Sequence, residues 1–121
     1  MKKTIILTFT AALALFIISS CSKGSGGGGG GGTTVNCSAV TNKAFNADVL
    51  PIILASCAIA GCHAAGSTNG PGALTNHREV FGARSSIRSA VSSGQMPKNS
   101  SLSTSQKNSI ICWIDSGAPN N

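Results

Sequence analysis

Seven consecutive glycines, Gly26 to Gly32, cut this 121-residue chain in two. Glycine loses more backbone freedom on folding than any other residue, so the stretch from Lys23 to Thr34 resists holding one conformation. It predicts a flexible tether of about 13 residues with a root-mean-square reach of roughly 20 Å. A phosphate-binding loop is the sharper reading of a glycine run, but neither a Lys-Ser/Thr pair nor a helix-forming segment follows. Globular structure is therefore confined to residues 35–121. That part contains only Phe45, Phe81 and Trp113 as aromatic residues. A domain this small buries a modest apolar core unless something supplements it.

Ahead of the tether, Lys2 and Lys3 precede an apolar run from Ile5 to Ile18 and then Ser19-Ser20-Cys21. A charged start, an apolar middle and small residues before a cleavage point read as an export signal over residues 1–20. An uncleaved anchor helix is the alternative. The run falls short of the about 20 apolar residues a span needs, and Thr8 and Thr10 interrupt it. Ile18-Ser19-Ser20-Cys21 resembles the lipobox of bacterial lipoproteins, which implies acyl chains on Cys21 and a lipid-anchored tether over residues 21–34. Several acyl chains hold a protein on a membrane where one is marginal. Ser22 in place of Asp implies sorting to the outer membrane. No acidic run follows, which favours the periplasm-facing side over the cell surface.

The formal charge is +6, from nine basic and three acidic residues. Without Lys2 and Lys3 it is +4. Lys and Arg are scattered singly, with almost no aromatic interleaving, which excludes a nucleic-acid surface. A modest positive field can steer an acidic protein partner.

Three helices are expected in the globular part. The first spans about 47–57, with Asn46 as N-cap and Val49, Leu50, Ile53 and Leu54 as its apolar face. Pro51 belongs in a first turn and delays the regular helix to about Leu50. The second spans about 77–92, capped by Asn76, with Val80, Phe81, Ile87, Ala90 and Val91 at helical spacing. The third spans about 104–116, with Ser103 and Gln106 as a capping box and Gly117 and Pro119 as its stop. No alternating strand pattern of useful length occurs, so the domain is expected to be all-α.

Cys57-Ala58-Ile59-Ala60-Gly61-Cys62-His63 carries the chemistry. Two thiols directly before an imidazole form a stretched version of the C-x-x-C-H pattern that attaches haem covalently. The sulfurs add across the two vinyl groups of one porphyrin edge, and the histidine follows them under the ring. Four intervening residues must bulge, and Gly61 is where the backbone is expected to turn tightest. Two other readings stay open at this point: a small Cys57–Cys62 disulfide loop, and a zinc site built on the same thiols and imidazole.

If haem is bound, His63 supplies one axial bond and a second ligand is needed. Met96, in Gly94-Gln95-Met96-Pro97, is the one methionine besides Met1. Its thioether is a soft ligand, and His/Met coordination raises the potential of such a haem. His77 is the competing ligand. Of five cysteines, Cys21 is assigned to lipid and Cys57 and Cys62 to haem, which leaves Cys37 and Cys112 to pair as a disulfide. The competing assignment is two disulfides and no haem.

From about Phe45 onward the chain resembles the small class I cytochrome c domains of exported bacterial proteins, in the subgroup with a widened C-x4-C-H site. The matching residues are Val49-Leu50-Pro51-Ile52-Ile53, Cys57, Cys62-His63, Gly94-Gln95-Met96-Pro97 and Cys112-Trp113-Ile114-Asp115-Ser116-Gly117-Ala118-Pro119. The resemblance implies a cytochrome c-like fold, three main helices around one covalently bound haem c. It implies thioethers at Cys57 and Cys62, proximal His63 and distal Met96. The implied role is a lipid-anchored single-electron carrier working with redox partner proteins, not an enzyme. Trp113 is expected beside the haem. Arg84 and Arg88 are expected as solvated surface, with propionates or a partner as their alternative contacts. A haem-bearing sensor or structural subunit of an envelope complex, and a haem-free disulfide or zinc module, are the competing functions.

Overall fold

Proline has no amide hydrogen, so a regular helix accommodates Pro51 only in its first turn. In the computed structural model, which describes residues 34–121, helix α1 accordingly runs Leu50–Ser56 with Pro51 in that turn. The export signal, Cys21 and the glycine tract lie outside the described residues. Before α1 comes a wider π-helical turn, Phe45–Val49, in which the Val49 N–H reaches back to the Ala44 carbonyl at 3.1 Å. Ala44 is therefore the N-cap, where Asn46 was expected, and Asp48 Oδ2 accepts from the Ala44 N–H at 2.9 Å. Asn46 donates its own N–H to the main-chain oxygen of Asn121 at 2.7 Å, and Asn121 Oδ1 accepts from Phe45 N–H at 2.8 Å. The tail thus satisfies donors that an opening helix leaves orphaned.

The expected second helix is two helices, α2 His77–Gly82 and α3 Arg84–Ser92. Ala83 separates them at φ −92° and ψ 0°, and it is buried. Asn76 caps α2 as expected: its side chain accepts from the Glu79 N–H at 3.2 Å, while Glu79 Oε2 accepts from the Thr75 N–H at 2.7 Å. Helix α4, Thr104–Asp115, carries the expected capping box of Ser103 and Gln106. It ends in a Schellman arrangement: Gly117 lies at φ 99°, its N–H bonds the Ile114 carbonyl, and the Ala118 N–H bonds the Trp113 carbonyl at 2.9 Å. With no strand among the described residues, the fold is all-α.

One core joins these elements. Phe45, Val49, Ile53, Val80, Ile110 and Trp113 are its largest fully buried members. Phe45 meets Trp113 with ring centroids 5.1 Å apart. Leu54, expected on the buried face of the first helix, is 45% exposed, and Phe81 of the second is 36% exposed. Phe81 carries the Arg84 guanidinium 4.0 Å above its ring, an arrangement that makes an exposed aromatic a cation site rather than core.

Cys37, in a short 3-10 turn at Cys37–Ala39, is bonded to Cys112 of α4, with the two Cα atoms 5.3 Å apart and the two residues 75 positions apart in sequence. Cross-linking so long a loop removes much of the unfolded chain's freedom. Replacing both Cys37 and Cys112 by serine is expected to lower unfolding free energy by about 2–5 kcal/mol. Urea unfolding of the matured protein checks it, and an unchanged midpoint would show the bridge to be dispensable.

Candidate functional site

Helix α1 delivers Cys57 as its C-cap, with the N–H groups of both Cys57 and Ala58 bonded to the Ile53 carbonyl at 2.8 and 2.9 Å. The chain then bulges. Cys62 N–H returns to the Ile59 carbonyl at 3.0 Å, and His63 N–H closes the loop onto the Cys57 carbonyl at 3.0 Å. Gly61 sits at φ 78°, a left-handed conformation that costs glycine nothing sterically; it is the tight point expected. Both thiols are free and half-buried in this structure.

His63 is only 7% exposed. Its Nδ1 lies 2.9 Å from the Gly72 carbonyl. A carbonyl can only accept, so Nδ1 carries the proton in this contact, and in the neutral ring Nε2 keeps a free lone pair. That is the second-sphere arrangement usual for metal-binding imidazoles, in which one ring nitrogen is held by a carbonyl and the other binds.

Cys57, Cys62, His63 and Met96 line a single cavity of about 590 Å³. Its size falls within the roughly 300–1,000 Å³ of pockets that enclose organic ligands. Ile53, Leu74, Ile87 and Val91 supply apolar wall and belong to the core as well. Met96 enters from the α3–α4 connection, where Gly94 at φ 73° ends α3 and the Met96 N–H bonds the Ala90 carbonyl at 3.1 Å. Two free thiols, an imidazole with one bare nitrogen and a thioether around an apolar cavity are the donors a covalently held porphyrin iron requires, so the residues fit the group. Among the described residues, no group of three or more His, Cys, Asp or Glu is placed to hold a metal ion.

The remaining expected residues lie elsewhere. His77 Nε2 donates to the Ala118 carbonyl at 3.0 Å, and its ring stands edge-on to Phe45 at 4.8 Å. It serves the core and is absent from the cavity wall. Trp113 is also behind the wall, with Nε1 donating to the Pro119 carbonyl at 2.8 Å. Arg88 forms a two-pronged pair with Asp115, at 2.6 and 2.9 Å. Lys98, which periodicity and spacing left unremarked, is the cation that lines the cavity. Ser67, Asn69 and Gly72, which contact the Cys62-His63 pair, were legible only as part of a turn-rich run.

Burial, reinforced by the neighbouring Cys62, pushes the Cys57 thiol up in pKa. A raised pKa means fewer thiolates, and the thiolate is the nucleophile. Folding is favoured by this group below its unfolded pKa, and that contribution fades as the pH rises through the folded value. In haem-free protein, iodoacetamide at mildly alkaline pH is expected to label Cys62 severalfold faster than Cys57, by peptide mass mapping. Equal rates would remove the inferred difference in environment. Compared with models of protein families, with curated proteins and with solved structures, the chain matches none of them.

Proposed function

We propose that the chain is a monohaem c-type cytochrome, a lipid-anchored carrier of single electrons. The observation that carries this reading is the common cavity of Cys57, Cys62, His63 and Met96. Each donor answers a separate demand. Cys57 and Cys62 present free sulfurs for one porphyrin edge, and His63 presents Nε2 because Gly72 holds its other nitrogen. Met96 offers a soft sulfur from a different connection of the chain. Ile53, Leu74, Ile87 and Val91 give the site an apolar wall. Haem, when bound, supplies the one-electron couple, and its potential is set by ligands and burial.

If His63 and Met96 both held a bound haem, the chain's own donors would occupy the positions a substrate needs, which supports a carrier over an enzyme. No helix among the described residues is long and apolar enough to cross a membrane. Attachment to the outer membrane through acyl chains on Cys21, facing the periplasm, accords with the lipobox resemblance. Redox proteins are the proposed partners. Two propionates would reduce the exported chain's +4 to about +2, still a positive field for an acidic partner.

Protein matured in a bacterial envelope is expected to show the pyridine haemochrome band of c-type haem and a mass increment of one haem. A colourless chain of unmodified mass sinks the proposal. Met96→Ala is expected to abolish the sulfur-to-iron charge-transfer band and lower the potential while leaving haem content unchanged. His77→Ala is expected to keep that band; a wild-type spectrum that lacks it, and that changes on His77→Ala but not on Met96→Ala, would reassign the distal ligand.

A further inference from the structure

The widened spacing between Cys57 and Cys62 poses a mechanical problem, because four residues give the second thiol more slack than two. The segment Ser67–Leu74 answers it with hydrogen bonds to each residue of Gly61-Cys62-His63. Ser67 Oγ donates to the Cys62 carbonyl. Asn69 Nδ2 donates to the Gly61 carbonyl at 2.9 Å and to the Cys62 carbonyl at 3.1 Å. The Gly72 carbonyl accepts from His63 Nδ1 at 2.9 Å, and Leu74 N–H donates to the His63 carbonyl at 2.9 Å. The segment is itself braced: Ser67 N–H bonds the Ala64 carbonyl, Asn69 N–H bonds Ser67 Oγ, and Gly72 N–H bonds the Asn69 carbonyl.

We propose that Ser67–Leu74 is a strap whose side-chain donors, Ser67 and Asn69, are positioning residues that fix Cys62 relative to Cys57. The proposal rests on the haem reading for its consequence, since the strap would set the two sulfurs to match two vinyl groups. Each attachment forms one C–S bond to a vinyl carbon. The thiol hydrogen ends on the adjacent carbon, and no oxidant or reductant is consumed. The α1 C-cap fixes the Cys57 end. Only the Cys62 end depends on the strap.

Ser67→Ala combined with Asn69→Asp removes these donors while nearly keeping the shape. In full-length matured protein, the variant is expected to carry a substantial fraction of haem bound by one thioether, through Cys57 alone. The pyridine haemochrome band then shifts toward that of a haem retaining one conjugated vinyl group, a change that mere loss of stability does not produce. In the haem-free chain, equilibrated with glutathione and its disulfide, a loosened Cys62 is expected to close onto Cys57 severalfold more readily. That closure oxidises two thiols and reduces one glutathione disulfide to two glutathiones. Peptide mapping distinguishes it from the Cys37–Cys112 bridge. An unchanged thioether count in the matured variant, or unchanged closure in the haem-free one, overturns the strap's role. Wild-type haem content tests the functional reading separately.

Discussion

Trp113 against Phe45 is the contact on which the rest of the domain depends. Both rings are essentially sealed from solvent, and an aromatic pair at 5.1 Å gains more than its buried area alone. Three otherwise separate pieces converge there. The N-terminal segment arrives with Phe45 and the Cys37–Cys112 bridge. The tail arrives with Pro119, whose carbonyl takes the indole N–H, and with Ala118, whose carbonyl takes the His77 ring. Helix α2 arrives with His77 itself, edge-on to both large rings. A domain with three aromatic residues and an imidazole among them has placed nearly all of its large planar surface in one cluster.

That concentration has a cost on the other side of the same core. Ile53, Leu74, Ile87 and Val91 are buried, yet they also face the cavity that runs past Cys57, Cys62 and Met96. No aromatic side chain lines this space. The sequence shortage that made the domain look underpacked is thus localised: one half is closed by Trp113 and Phe45, and the other is walled by aliphatic groups around an opening. Ile59, 45% exposed, also lines that opening. Apolar surface arranged this way is the kind that an inserted flat apolar ligand would cover, and it concentrates where the two thiols and the imidazole are.

Local rules were readable where local chemistry decided the outcome. Ser103 and Gln106, Asn76, Gly117 and Pro51 act within a turn of their own position, and the structure follows them. The break at Ala83 was hidden because Val80 on α2 and Ile87 and Val91 on α3 keep helical spacing across it, so a sum over the window reads as one helix. Asn46 met the usual preference for an N-cap, but the tail supplies acceptors to its N–H and that of Phe45, and no local pattern contains Asn121. His77, the competing ligand by sequence, is held in the core instead by partners up to 41 positions away. The site motif itself was legible as spacing. The hydrogen bonds that hold it were not, since Ser67, Asn69 and Gly72 are ordinary turn residues until the fold brings them to Cys62.

Four residues separate the two thiols, and the fold confines them to one short loop. Cys62 and His63 are adjacent, and both are tied to the same short segment, so whatever fixes one fixes the other. The imidazole's Nδ1 is held by Gly72, downstream of the motif, while the His63 N–H is tied back to the Cys57 carbonyl. Slack is taken up entirely in Ala58 to Gly61, where Ile59 is exposed and Gly61 adopts a conformation that residues with a Cβ seldom hold. The loop between the thiols and the Cys62-His63 pair are thus held by largely separate sets of hydrogen bonds.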